Sequence, residues 1–126
     1  MRGKSKTTRN LIVAFLAVFG VILLFTIADY FVHSLKSDYS VPPRYFTNKI
    51  IFGTLIGFFA CLLVKKWNLF AGSIFFSAAV SILLQLRYLL EGYPLGFVFL
   101  FLGLHFIILL PLSALMLKLE KNLTKN

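Results

Sequence analysis

Residues 11–33 read LIVAFLAVFGVILLFTIADYFVH, and what solvates this stretch decides the fold. From Leu11 to Val32 only Asp29 carries a charge. A helix crosses a hydrocarbon core of about 30 Å with about 20 residues rising about 1.5 Å each, so this run is long enough to span a bilayer. It is also longer than the apolar core of a cleaved signal peptide, about 7–15 residues. Behind the basic start MRGKSKTTRN it reads as a retained signal anchor.

Three further apolar runs follow, at about 45–64, 69–90 and 95–117. The second crosses only if Tyr45 to Asn48 are included and Lys49 and Lys65 snorkel outward. With 60% hydrophobic and 13% charged residues, the chain cannot cover a water-soluble surface of this size, and its polar residues bunch between the runs. The expectation is an all-α integral membrane four-helix bundle with short connecting loops, one domain over residues 1–126, with the lipid bilayer as its outer solvent.

Four spans place both tails and the Lys65-Lys66 turn on one side of the membrane. Nine basic residues then fall on that side (Arg2, Lys4, Lys6, Arg9, Lys65, Lys66, Lys118, Lys121 and Lys125) and four on the other (Lys36, Arg44, Lys49 and Arg87). The charge-bias rule makes both termini cytoplasmic. Orientation thus accounts for the net charge of +9 without a nucleic-acid partner. The sequon Asn122-Leu123-Thr124 would then never meet a glycosylating enzyme.

Asp29 and Arg87 each lie 18 positions beyond the inner end of their spans, at a depth of about 27 Å along the helix. Four positions further come His33 and Glu91. If spans one and three are neighbours, Asp29 meets Arg87 and His33 meets Glu91, while Tyr30 and Tyr88 occupy equivalent belt positions. Pairing would lower the cost of placing ionisable groups near hydrocarbon.

Two uses of this quartet stand open from the residues. One is an outward-facing polar pocket in which Arg87 holds a lipid headgroup or small anion, with Asp29, His33, Glu91, Tyr30, Tyr88 and Arg44 around it, in a transport-related role. The other is a structural or accessory protein in which the two pairs only fix helix packing. A third reading, a membrane enzyme using His33 with Asp29 or Glu91, needs geometry to support it.

No metal site and no cofactor are expected. His105 lies ten residues inside the start of span four, which puts it about 15 Å deep, too far from Asp29 and His33 to share an ion, and it reads as a packed histidine. Cys61 is the sole cysteine, which rules out an intramolecular disulfide. Gly53 and Gly57 form a GxxxG pattern that suits close packing, within the chain or between copies as a homo-oligomer. Ser73, Ser77 and Ser81 recur every four residues on what should be an inward face of span three. No motif is specific enough to assign a family.

Overall fold

The computed structural model describes residues 2–125. It contains α1 (Arg2–His33), α2 (Pro43–Leu63), α3 (Leu69–Leu90) and α4 (Leu95–Leu123), with a 3₁₀ turn at Ser37–Tyr39 between α1 and α2. No strand occurs among the described residues. The chain is the expected all-α four-helix bundle, and each helix is long and apolar enough to cross a membrane. These features fit a multi-pass protein in a lipid bilayer.

Local chemistry sets several helix ends. Pro43 opens α2, where its missing N–H costs nothing and its fixed φ suits the first turn. The Asn68 side chain caps α3 by accepting from the Ala71 N–H at 2.8 Å. Past the end of α3, Gly92 turns the chain at φ +94°, a conformation that favours glycine.

The helices pack as a ring, α1 on α2, α2 on α3, α3 on α4 and α4 on α1. Helices α1 and α3 therefore stand across the diagonal, and the expected layers of opposite charge between them do not form. Inner faces follow the helical repeat. In α2, Tyr45, Lys49, Gly53, Gly57 and Cys61 are all buried at four-residue spacing. In α3 the buried line runs Ser73, Ser77, Ser81, Gln85, and in α4 Phe101, His105, Leu109, Ser113 and Leu117. Large apolar side chains such as Phe59, Phe70, Leu90 and Leu115 point outward, where lipid can solvate them.

Lipid is as apolar as leucine, so close fit and interhelical hydrogen bonds must hold such a bundle together. Both are present. A Cβ on Gly57 would stand 2.8 Å from Val18 Cγ1 and 3.1 Å from Phe76 Cζ, and one on Gly53 would stand 3.2 Å from Ile22 Cγ2. The GxxxG face is thus occupied inside the chain by α1 and α3, the intramolecular one of its two expected uses. Between α3 and α4, the Ser77 and Ser113 hydroxyls bond at 2.9 Å.

The outer ends are staggered, and the stagger positions the site. His33, the last residue of α1, stacks on Phe101 of α4 at 4.1 Å between ring centres, although Phe101 lies six residues inside the start of α4. Helix α4 therefore projects about 9 Å beyond the end of α1. The 3₁₀ turn fills that step, with Tyr39 packed edge-on against Phe101.

Candidate functional site

A buried polar centre joins all four helices. Asp29 of α1, fully buried, receives the Lys49 ammonium of α2 on Oδ2. Its other oxygen, Oδ1, lies 3.1 Å from His105 Nε2 of α4. Lys49 Nζ also lies 2.9 Å from that His105 Nε2 and donates to the Tyr45 hydroxyl at 3.2 Å. Helix α3 contributes Gln85, whose side-chain amide is 2.8 Å from His105 Nδ1.

His33 closes the outer side of this centre. Its Nε2 lies 3.1 Å from Asp29 Oδ2, too poorly directed to count as a hydrogen bond, and its Nδ1 donates to the Tyr39 carbonyl at 2.6 Å. Aromatic rings wall the cluster: Phe25 meets His105 edge-on at 4.9 Å, and Lys49 Nζ stands 4.4 Å from the Tyr45 ring centre. A lone carboxylate or ammonium in such surroundings would be prohibitively costly, and here the two compensate one another.

Nearer the surface, Arg44, Asn48, Arg87, Glu91, Gly92, Tyr93 and Pro94 line an open cleft of about 460 Å³. Arg87 Nε lies 3.2 Å from Glu91 Oε1, and the Arg87 guanidinium sits 4.0 Å over the Phe52 ring. Both side chains of this pair are more than a third exposed, at 34% and 41%. Burial raises the pKa of the Tyr93 phenol, the negative charge of Glu91 adds to the rise and Arg44 opposes it. Tyr93 is therefore a neutral O–H donor at physiological pH.

The residues expected to converge divide among three places. Asp29 and His33 belong to the buried centre, and Arg44, Arg87 and Glu91 to the outer cleft. Tyr88 is buried and stacks on Tyr45 at 4.4 Å. Tyr30 is exposed and packs edge-on against Phe46, on a different groove from Arg87. The expected Asp29–Arg87 and His33–Glu91 pairs are thus replaced by Asp29–Lys49 and Arg87–Glu91, because α1 and α3 are diagonal and Arg87 turns away from the bundle axis.

Three partners were missed in the sequence. Lys49 reads there as a boundary residue, yet its four-residue register with Gly53 and Gly57 already places it on the packed face. Gln85 likewise continues the line of Ser73, Ser77 and Ser81. Counting depth from each loop, as though all helices ended level, sets His105 about 9 Å too deep relative to α1, the amount by which α4 projects beyond it. In fact it meets Asp29 directly. The distance that argued against a shared ion therefore does not exist.

No family model matches the chain, and neither a curated protein nor a solved structure matches it. Function must be argued from these two sites.

Proposed function

We propose that this is a small multi-pass membrane protein that holds an anionic group, from a lipid headgroup or a small free anion, in the outer cleft between α2 and α3, in a transport-related role. The observation that carries this reading is the convergence of Arg44 and Arg87, from two helices, on one open cleft with the Asn48 amide and the Tyr93 hydroxyl. A guanidinium offers a planar fork of donors suited to phosphate or carboxylate. Its pairing with Glu91 joins two side chains that are each more than a third exposed and includes no directed hydrogen bond from Nε, so it is weak enough for a bound anion to compete.

The test is native mass spectrometry of the protein released from bilayers containing phosphatidylglycerol or phosphatidylcholine, with and without added inorganic phosphate. Preferential retention of phosphatidylglycerol, reduced in the R44Q/R87Q double variant, supports a headgroup site. Retention of phosphate alone supports a free anion. Equal retention of both lipids and no phosphate by the unaltered protein, or retention unchanged in the double variant, overturns the reading.

A structural role for the buried centre is the second reading, favoured by one observation: Asp29 and Lys49 are both fully buried and bonded to one another from adjacent helices. Catalysis by His33 with Asp29 draws support from their 3.1 Å separation, but Asp29 has no exposed surface at which a substrate would meet it. Glu91 pairs with Arg87 instead.

A further inference from the structure

Asp29, His33 and His105 present one carboxylate and two imidazole nitrogens that all lie within 4.8 Å of one another. We propose that these three residues form a binding site for a divalent late transition-metal ion of the zinc type, and that the Lys49 ammonium acts as its resident competitor.

Donor chemistry and spacing agree with such an ion. Zinc takes imidazole nitrogen and carboxylate oxygen at about 2.0–2.2 Å, so neighbouring ligand atoms of a tetrahedral site stand about 3.3 Å apart. Both His–Asp separations are 3.1 Å, one to each carboxylate oxygen. All three ligand atoms lie within 4.8 Å of one another, so bringing the two imidazoles to the tetrahedral spacing asks His33, the least enclosed of the three, to move inward by at most about 1.5 Å.

Orientation of the rings is the stronger observation. Metal-bound histidines commonly donate their second ring N–H to a carbonyl or carboxylate, which fixes the tautomer and aims the other nitrogen's lone pair at the ion. His33 does this through Nδ1 to the Tyr39 carbonyl at 2.6 Å. Its Nε2 is buried, faces Asp29 and makes no hydrogen bond of its own. In the neutral ring that nitrogen carries a bare lone pair beside a carboxylate, an arrangement that calls for a cation. His105 has the matching device in Gln85: the glutamine Oε1 is buried without a partner, and a half-turn of the amide brings it onto the Nδ1–H.

The Lys49 ammonium supplies positive charge to the same acceptors, bonding Asp29 Oδ2 and standing 2.9 Å from His105 Nε2. An ion binding there must displace it, so removing the ammonium strengthens metal binding. An entry route exists as well. His33 lines an outward-opening groove of about 310 Å³, together with the Ser34, Ser37 and Ser40 positions of the α1–α2 connection.

The experiment uses the full chain in nanodiscs, stripped with chelator, loaded with Zn²⁺ and passed over a desalting column before metal analysis. About one zinc per chain is expected to remain on the unaltered protein. Lys49→Met should lower the dissociation constant by about tenfold, and His33→Ala and His105→Ala should each raise it by about tenfold or more. X-ray absorption of the zinc-loaded unaltered protein gives a readout that needs no variant to fold, and two imidazole ligands are expected. Loss of zinc from both the unaltered and Lys49→Met proteins, or a coordination shell without imidazole, overturns the proposal. The outer arginine cleft plays no part in these readouts, so the two proposals fail separately.

Discussion

Lys49 of α2 bonds the Asp29 carboxylate of α1 while its Nζ stands 2.9 Å from His105 Nε2 of α4, so one ammonium links three helices at the centre of the bundle. A buried pair of this kind contributes most visibly when it is broken, because the surviving charge keeps its desolvation cost and loses its compensation.

Asp29→Asn or Lys49→Met alone should therefore cost about 3–5 kcal/mol. The double replacement, which leaves no unpaired charge, should recover most of that loss. Unfolding of all three variants in mixed micelles checks this as a double-mutant cycle. A double variant as unstable as the sum of the singles would mean that the pair is not a coupled unit.

Gly57→Ala places a Cβ 2.8 Å from Val18 Cγ1 and 3.1 Å from Phe76, on side chains that are themselves buried. Overpacking of this kind costs about 1–3 kcal/mol. Gly20→Ala is the control, because nothing lies within 4 Å of its added carbon. Thermal unfolding of both variants should show a lowered midpoint for Gly57→Ala alone.

The four helices were legible in the sequence because an apolar run of spanning length has few alternatives in water or lipid. Much of the inner face was legible too: the Ser73, Ser77, Ser81 line is buried along its length, and Gly53 and Gly57 pack within the chain. Partner choice was not. Which helices are neighbours is a property of the packed ring, and residue spacing along one helix does not carry it. The relative heights were also hidden, since α4 starts ten residues outside His105 whereas α1 ends four residues outside Asp29. Lys49 was misplaced for a related reason: a lysine near the end of an apolar run usually snorkels, and only its register with the glycines and the acid on α1 draws this one inward.

Between α3 and α4, Ser77→Ala removes the 2.9 Å hydroxyl bond to Ser113. Interhelical hydrogen bonds of this kind average about 0.6 kcal/mol in a membrane protein. The expected loss is small for a second reason, since Ser113 Oγ keeps the Leu110 carbonyl as an acceptor at 3.0 Å. A measured loss comparable to that of the Asp29 variant would show that the serine line does more than join two helices.

Glu91 restrains Arg87 by an ion pair at 3.2 Å on the rim of the arginine cleft. Exposed pairs contribute about 0.2–1 kcal/mol, so Glu91→Gln should raise the affinity for an anionic headgroup by up to about fivefold by freeing the guanidinium and removing a repelling charge. Retention of phosphatidylglycerol at low and high salt measures it, and the gain should shrink as salt rises. Weaker retention in Glu91→Gln would mean that the carboxylate organises the site.

With Lys49 drawn into the bundle, the basic residues on the α1–α2 and α3–α4 connection side fall to Lys36, Arg44 and Arg87, against the nine on the side of the tails and the α2–α3 turn. Lysine and arginine bias acts through residues that stay near the membrane surface, so moving one lysine into the interior strengthens the asymmetry rather than weakening it. Single cysteines placed at Lys6 and Lys125, in a Cys61→Ala background, should both resist a membrane-impermeant maleimide in intact cells and react after the cells are opened. A cysteine at Lys36 should react in both conditions. Labelling of the two tails from opposite sides would remove one of the four crossings, and labelling of both tails in intact cells would invert the bundle and turn the arginine cleft toward the cytoplasm.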